Sequence, residues 1–368
     1  MAEPAPPPGR RAKKGAPPAS KPVNLALQGG GSHGAFTWGV LDALLEDGRL
    51  DIDSISGTSS GAMNAVALAQ GFAEAHRDGL GGAEARARAR RSLRRLWDGV
   101  GVMGIFSAGV PIPGAFAFIN MFTQWLSPYQ ANPLGINPLR QLIQRDIDFE
   151  LLNRHAGIQL FVSATNVRTG RGEVFTGEQL SVDVVMASAC LPTAFKAVQI
   201  GDQHYWDGGF AGNPPIYPLI YRTLTSDVLL VQINPSVVPT LPSGAMEIAD
   251  RVNEITFNAG LMAEIRSINF VHRLLEEGQF PPGKYKNVLL HHIDGGSVLA
   301  GFGAATKVRF DTGFVSKLFE LGRAAGAEWV HRHFDAVGVR ATVDMALAPD
   351  QRIEIREQAG PRRRTVPR

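Results

Sequence analysis

Cysteine is almost missing from this chain. Cys190 is the only one in 368 residues, which excludes an internal disulfide and a cysteine-built zinc site, argues against a redox role and fits a reducing compartment such as the cytoplasm. An apolar leader is also lacking. Residues 1–22 carry Arg10, Arg11, Lys13 and Lys14, but Pro, Ala and Ser stand where a secretion signal needs an apolar stretch. That segment has almost no large apolar side chain, so it cannot offset the entropy of ordering, and a disordered basic arm is expected over 1–22. Acids are scarce at both ends: Glu3 alone faces five Lys/Arg in 1–22, and 361–368 holds four Arg and no acid. Charge of either sign, and histidine, is absent from 99–139. Pro111, Pro113 and Gly114 interrupt that stretch, and the remaining Ala115 to Leu126 is too short to cross a bilayer.

What is present describes a folded body. A hydrophobic share of 44% with 19% charged residues rules out a disordered or fibrous chain. The formal charge of +3 divides into +8 on the two ends and −5 on residues 23–360. The basic character therefore belongs to the tails, and a nucleic-acid surface on the body is not expected. No linker or internal repeat divides the body.

Short apolar runs at 23–28 and 52–56 each lead into a glycine-rich turn and then a helix, at 35–47 and 62–71. Strand, helix, strand, helix implies an α/β fold with a parallel sheet covered by helices. Residues 84–97 read as an arginine-rich, solvated helix, with a lipid-headgroup or nucleic-acid patch as the lesser option. Further strands are expected at 160–164, 174–176, 195–200, 204–206, 228–233 and 288–293, and helices at 181–188, 248–277 and 315–333.

The chemistry concentrates in three places. Gly57-Thr58-Ser59-Ser60-Gly61 lies between a strand and a helix, where bulk-free neighbours allow the sharp turn that exposes a nucleophilic serine. The bland alternative is a serine that only caps the helix. Gly29-Gly30-Gly31-Ser32-His33-Gly34 can aim backbone N–H groups at an oxyanion. A nucleotide-phosphate loop, with Asp51 or Asp53 as ribose ligand, is weakened by the missing Walker lysine and the imperfect glycine spacing. Asp207-Gly208-Gly209, at a strand end, offers a carboxylate base, and Asp294-Gly295-Gly296 has the same form. A histidine base from His272, His291, His292, His331 or His333 also stays open.

These blocks, with Ala187-Ser188-Ala189-Cys190-Leu191-Pro192 and Trp206-Asp207-Gly208-Gly209, stand in an order that resembles the patatin-like phospholipases over roughly residues 23–222. The resemblance implies a three-layer fold with a mostly parallel sheet. It also implies a Ser-Asp dyad without histidine: Ser59 the nucleophile, Asp207 the base, Gly29, Gly30 and Gly31 the oxyanion hole, and Gly57, Gly61, Gly208 and Gly209 in support. Gly212-Asn213-Pro214-Pro215 resembles the bacterial members and favours Asp207 over Asp294. The expected activity is hydrolysis of fatty-acyl esters of lipids, with no cofactor or metal.

A Ser-His-Asp carboxylesterase and a non-enzymatic lipid- or polyanion-binding scaffold are the rival readings. Residues 223–360 are expected to be an elaboration of the same α/β body. Residues 99–139 read first as a buried helix packed in the core; if the chemistry concerns lipids they are instead a candidate acyl-pocket wall or interfacial lid presenting Phe116, Phe118, Ile119, Met121, Phe122 and Trp125. With the basic tails they are a candidate site of peripheral membrane contact. His33 stands where the family usually carries Arg or Lys, so a contribution of its protonated form is expected to depend on pH.

Overall fold

A computed structural model describes residues 20–107, 127–132, 135, 137–238, 240–281 and 283–343. The expected lid aromatics, the basic tail at 361–368 and most of the N-terminal arm lie outside these residues.

The first half of the sheet follows from apolar runs that end in glycine turns. Strand β1 (Lys21–Leu27) pairs in parallel with β2 (Leu50–Gly57) through helix α1 (Gly34–Asp47), and α2 (Ser60–Arg77) and α3 (Gly82–Ser107) follow. Helices α4 (Pro138–Asp146) and α5 (Phe149–His155) lead to β3 (Gln159–Asn166), parallel to β2. The chain then reverses. Strands β4 (Gly172–Phe175) and β6 (Gln203–Asp207) both run antiparallel to β3, with α6 (Val182–Ser188) and β5 (Val198–Ile200) between them. Helix α7 (Tyr217–Arg222), β7 (Asp227–Gln232), α8 (Ala245–Glu276), β8 (Leu289–Asp294), α9 (Gly295–Leu299) and α10 (Thr312–His333) complete the order. The sheet runs β5-β6-β3-β2-β1-β7-β8, with β4 also on β3.

Alternation along the central strands explains the three layers. Leu25 and Leu27 of β1, with Leu229 and Val231 of β7, face one core, which α1, α2, α3 and α10 close. Ala26, Val228 and Leu230 face the other, closed by Ile216 at the start of α7, Leu219 within it, and Leu261, Ile265 and Ile268 of α8. A strand covered on both faces reads as a continuous apolar run, which is how β7 appears in the sequence. The body is thus a mostly parallel sheet between helices. Strand β1 begins two residues inside the segment expected to be a disordered arm. Lys21 N–H donates to Arg49 O at 2.9 Å, and its ammonium reaches the carbonyls of Phe334 and Val337. Strand β5 is shorter than the run at 195–200 suggests.

Candidate active site

Because β1 and β2 are parallel and Leu27 pairs with Gly57, the two glycine-rich turns leave the sheet side by side at the carboxyl ends of these strands. Ser59 sits at φ 54° and ψ −122°, the one non-glycine residue with positive φ among the described residues. Such a backbone costs energy and persists only where neighbours hold it. Here the Ser59 N–H donates to Ser188 Oγ at 2.9 Å, and Thr58 Oγ1 donates to the Gly212 carbonyl at 2.8 Å. A side chain on Gly61 would collide with the Leu27 carbonyl, and a Cβ on Gly29 would stand 2.6 Å from Ser59 Cβ. Both positions therefore need glycine for the loops to meet. Gly57 lies against the first turn of α2, whose positive end faces Ser59.

Asp207 ends β6 opposite Ala164 of β3 and is 1% exposed. Its Oδ1 accepts the Gly209 N–H at 2.8 Å, whereas Oδ2 is buried without a hydrogen-bond partner. Burial pushes the carboxyl up to about 7, opposed by the Gly209 N–H and by the neighbouring Ser59 hydroxyl. Ser59 and Asp207 thus come together, with no completed hydrogen bond to Oδ2. Gly208 and Gly209 lie against Ser163 and Phe257.

Asp294 has the same sequence signature and a different role. It is exposed, and its carboxylate accepts the Ser297 N–H at 3.1 Å as the cap of α9. The histidine alternative finds no geometry, since none of the described hydrogen bonds joins a histidine to Ser59 or Asp207. His291 instead bonds Asp227 at 2.8 Å. Asp51 and Asp53 lie at the amino end of β2, away from the glycine loop, so neither can be the ribose ligand of a nucleotide site there. Cys190 is buried, and its thiol is pushed up to about 12, first by desolvation and then by the charge of Asp207; it is no nucleophile.

The three glycine amides are not equivalent. Gly29 N–H donates to Asn213 Oδ1 at 2.7 Å, and its carbonyl accepts from Asn234 Nδ2 at 2.7 Å. Gly30 N–H donates to Ser60 Oγ at 3.1 Å. Gly31, at φ 61°, has an N–H with no partner among the described residues. The expected three-amide cradle therefore has one open donor, because the buried polar groups beside it satisfy the other two.

The loop is strapped from outside by residues 303–308. Ser32 Oγ donates to the Thr306 carbonyl at 2.8 Å, and Thr306 Oγ1 donates to Gly303 O at 2.8 Å. That hydroxyl can then only accept from His33 Nε2, 2.8 Å away, which assigns the ring proton to Nε2 and leaves Nδ1 bare and unpartnered. Burial, helped by the Lys307 charge, lowers His33 to about 4. His33 is consequently neutral from pH 5.5 to 8. This corrects the expectation that its protonated form contributes in that range. The nearby cation is Lys307, paired with Glu254 of α8 at 3.2 Å.

The residues that sequence reasoning missed are mainly amides. Gln28 accepts the Ile233 and Asn234 N–H groups and donates to Asn258 of α8 at 2.8 Å, joining β1, β7 and α8 behind the loop. Asn213 and Ser188 fall inside quoted motifs, where adjacency to Asp207 and Cys190 could have drawn attention. Asn234, Asn258 and Thr306 are isolated polar residues far along the chain, with no local signal.

A family model described as Patatin-like phospholipase matches residues 25–220. Among solved structures, VipD from Legionella pneumophila is similar at 15% identity and a TM-score of 0.34, over 83% of this chain and 67% of that one. The heterodimeric ExoU-SpcU complex from the type III secretion system of Pseudomonas aeruginosa matches at 17% identity and a TM-score of 0.36, over 86% of this chain and 52% of that one. The chain thus spans about half the length of the latter. No curated protein sequence matches.

Proposed function

Since the chain belongs to the patatin-like phospholipase family, we propose that it is a serine hydrolase of fatty-acyl lipid esters working through Ser59 and Asp207. The observation that carries this reading is the buried, unpartnered Oδ2 of Asp207 beside a serine held in a strained turn.

In the proposed reaction Oδ2 takes the proton of the Ser59 hydroxyl as Oγ attacks the ester carbonyl carbon. Negative charge gathers on the carbonyl oxygen, which the Gly31 N–H and the amino end of α2 stabilise. The tetrahedral intermediate collapses as the protonated Asp207 gives its proton to the departing alcohol. Water then attacks the acyl-serine with Asp207 again as base. A lone carboxylate is a weak base near the ordinary value of about 3.9. Raising it to about 7 brings it into the range where general bases work best.

A fluorophosphonate probe tests the reading. Wild type is labelled, and Ser59→Ala is not. Asp207→Asn labels at least about a hundredfold more slowly, the usual scale for loss of a general base. Labelling that persists in Ser59→Ala, or that is unaffected by Asp207→Asn, overturns it. A panel of acyl chain lengths on the wild type then defines the substrate range.

A further inference from the structure

Helices α3 and α4 enclose an open cavity of about 770 Å³, lined by Arg91, Arg94, Arg95 and Arg145, with Val102 and Leu142 supplying apolar wall. Asp98 is the one acid in its lining. The arginine run of α3 divides here. Arg88 and Arg90 bind Glu74, Asp78, Asp42 and Glu46 on the body. Arg95 pairs with Glu74 at 2.9 Å and Arg145 with Asp146 at 2.8 Å. Arg91 and Arg94 have no acidic partner among the described residues. The Arg94 guanidinium instead lies 5.7 Å from the ring centres of Trp38 and Phe319, within reach of a cation–π attraction to both.

We propose that this cavity binds the phosphate of an anionic phospholipid headgroup. Guanidinium groups suit phosphate because their parallel N–H pairs match two oxygens at once, and two unpaired ones in a single recess leave positive charge that an anion can neutralise. The apolar wall accounts for preferring a lipid over a soluble phosphate. Trp97 of the same helix α3 donates to Asn64 Oδ1 at 2.9 Å, and Asn64 donates to the Ser60 carbonyl at 3.0 Å, so the helix that carries the arginines is tied to the helix that follows the serine turn. A headgroup held in the cavity anchors that pair of helices at the membrane surface, a use that rests on the proposed hydrolase activity, whereas the binding itself does not.

The test uses the full chain with Ser59→Ala, so that hydrolysis plays no part. Its co-sedimentation is measured with phosphatidylcholine vesicles and with vesicles in which about one lipid in five is phosphatidic acid. Adding Arg91→Gln and Arg94→Gln, with both tails retained, should weaken binding to the anionic vesicles by on the order of 25-fold, about fivefold for each arginine near the surface. Equal binding within twofold overturns the proposal. Arg94 touches the core, so Arg91→Glu alone serves as a second variant that leaves packing untouched, and it should weaken binding at least fivefold. In a parallel arm, tripolyphosphate should raise the melting temperature of the parent more than that of the double variant. If that shift is seen while the variants bind vesicles equally, the site belongs to a soluble polyphosphate and the headgroup assignment fails.

Discussion

A carboxylate with one oxygen unpartnered and no solvent around it keeps its proton longer than usual, and Asp207 turns that fact into a pH dependence. As the base of the proposed reaction it must be ionised. On a short soluble ester, kcat/KM should rise about tenfold per pH unit below neutrality and level off above an apparent pKa near 7. A profile that is flat from pH 5 to 8 contradicts the assignment. The same shift acts on stability with the opposite sense. Between about 4 and 7 the unfolded chain has lost this proton while the folded one keeps it, so stability falls as pH rises through that window and stays lowered above it. Asp207→Asn should therefore be more stable than wild type at pH 8, on the order of a few kcal/mol, and little different near pH 4, as read from denaturant midpoints. Ser59 carries a comparable tension in its backbone. Ser59→Gly should abolish labelling while raising unfolding free energy by about 1 kcal/mol, because glycine adopts φ 54° freely. His33 does not titrate near neutrality, so His33→Gln should leave the midpoint of the activity profile unmoved.

At the level of elements, the glycine loop depends on a segment that lies outside the stretch matched by the family model. Thr306 holds Ser32 through its carbonyl and His33 through its hydroxyl. Losing that hydroxyl removes the His33 anchor and keeps the Ser32 one, which loosens the loop that carries the open Gly31 amide. Thr306→Val should lower kcat about five- to tenfold with little change in KM, and Thr306→Ser should restore it; the magnitude is that of one buried hydrogen bond. An equal rise in KM with kcat unchanged would assign Thr306 to substrate binding instead. The strap also explains why this part of the site was illegible in the sequence. The strands, helices and serine turn announce themselves through periodicity and glycine, which are local properties. A threonine nearly 280 positions from the glycines has no local property that marks it.

The whole molecule pairs a mildly acidic body with basic ends, and no helix among the described residues is long and apolar enough to cross a membrane. Attraction of the ends to an anionic surface is screened by salt, whereas the proposed proton transfer between Ser59 and the buried Asp207 is screened far less. Raising ionic strength from about 0.05 to 0.5 M should release the protein from anionic vesicles while leaving hydrolysis of a soluble short-chain ester nearly unchanged. Parallel losses of both would place the tails in the catalytic cycle. The sequence alone determined the alternation of strands and helices, the serine turn and the ordered motifs that identify the family, because hydrophobic period and glycine placement act over a few residues. The sequence already favoured Asp207 over Asp294 through the motif that follows it; the tertiary structure supplies the physical difference that the shared Asp-Gly-Gly signature does not contain, a buried carboxylate with one oxygen unpartnered against an exposed helix cap. Folding likewise occupied two of the three glycine amides and made His33 neutral. Hydrogen bonds and desolvation depend on what the rest of the chain brings alongside, and no stretch of sequence contains its own surroundings.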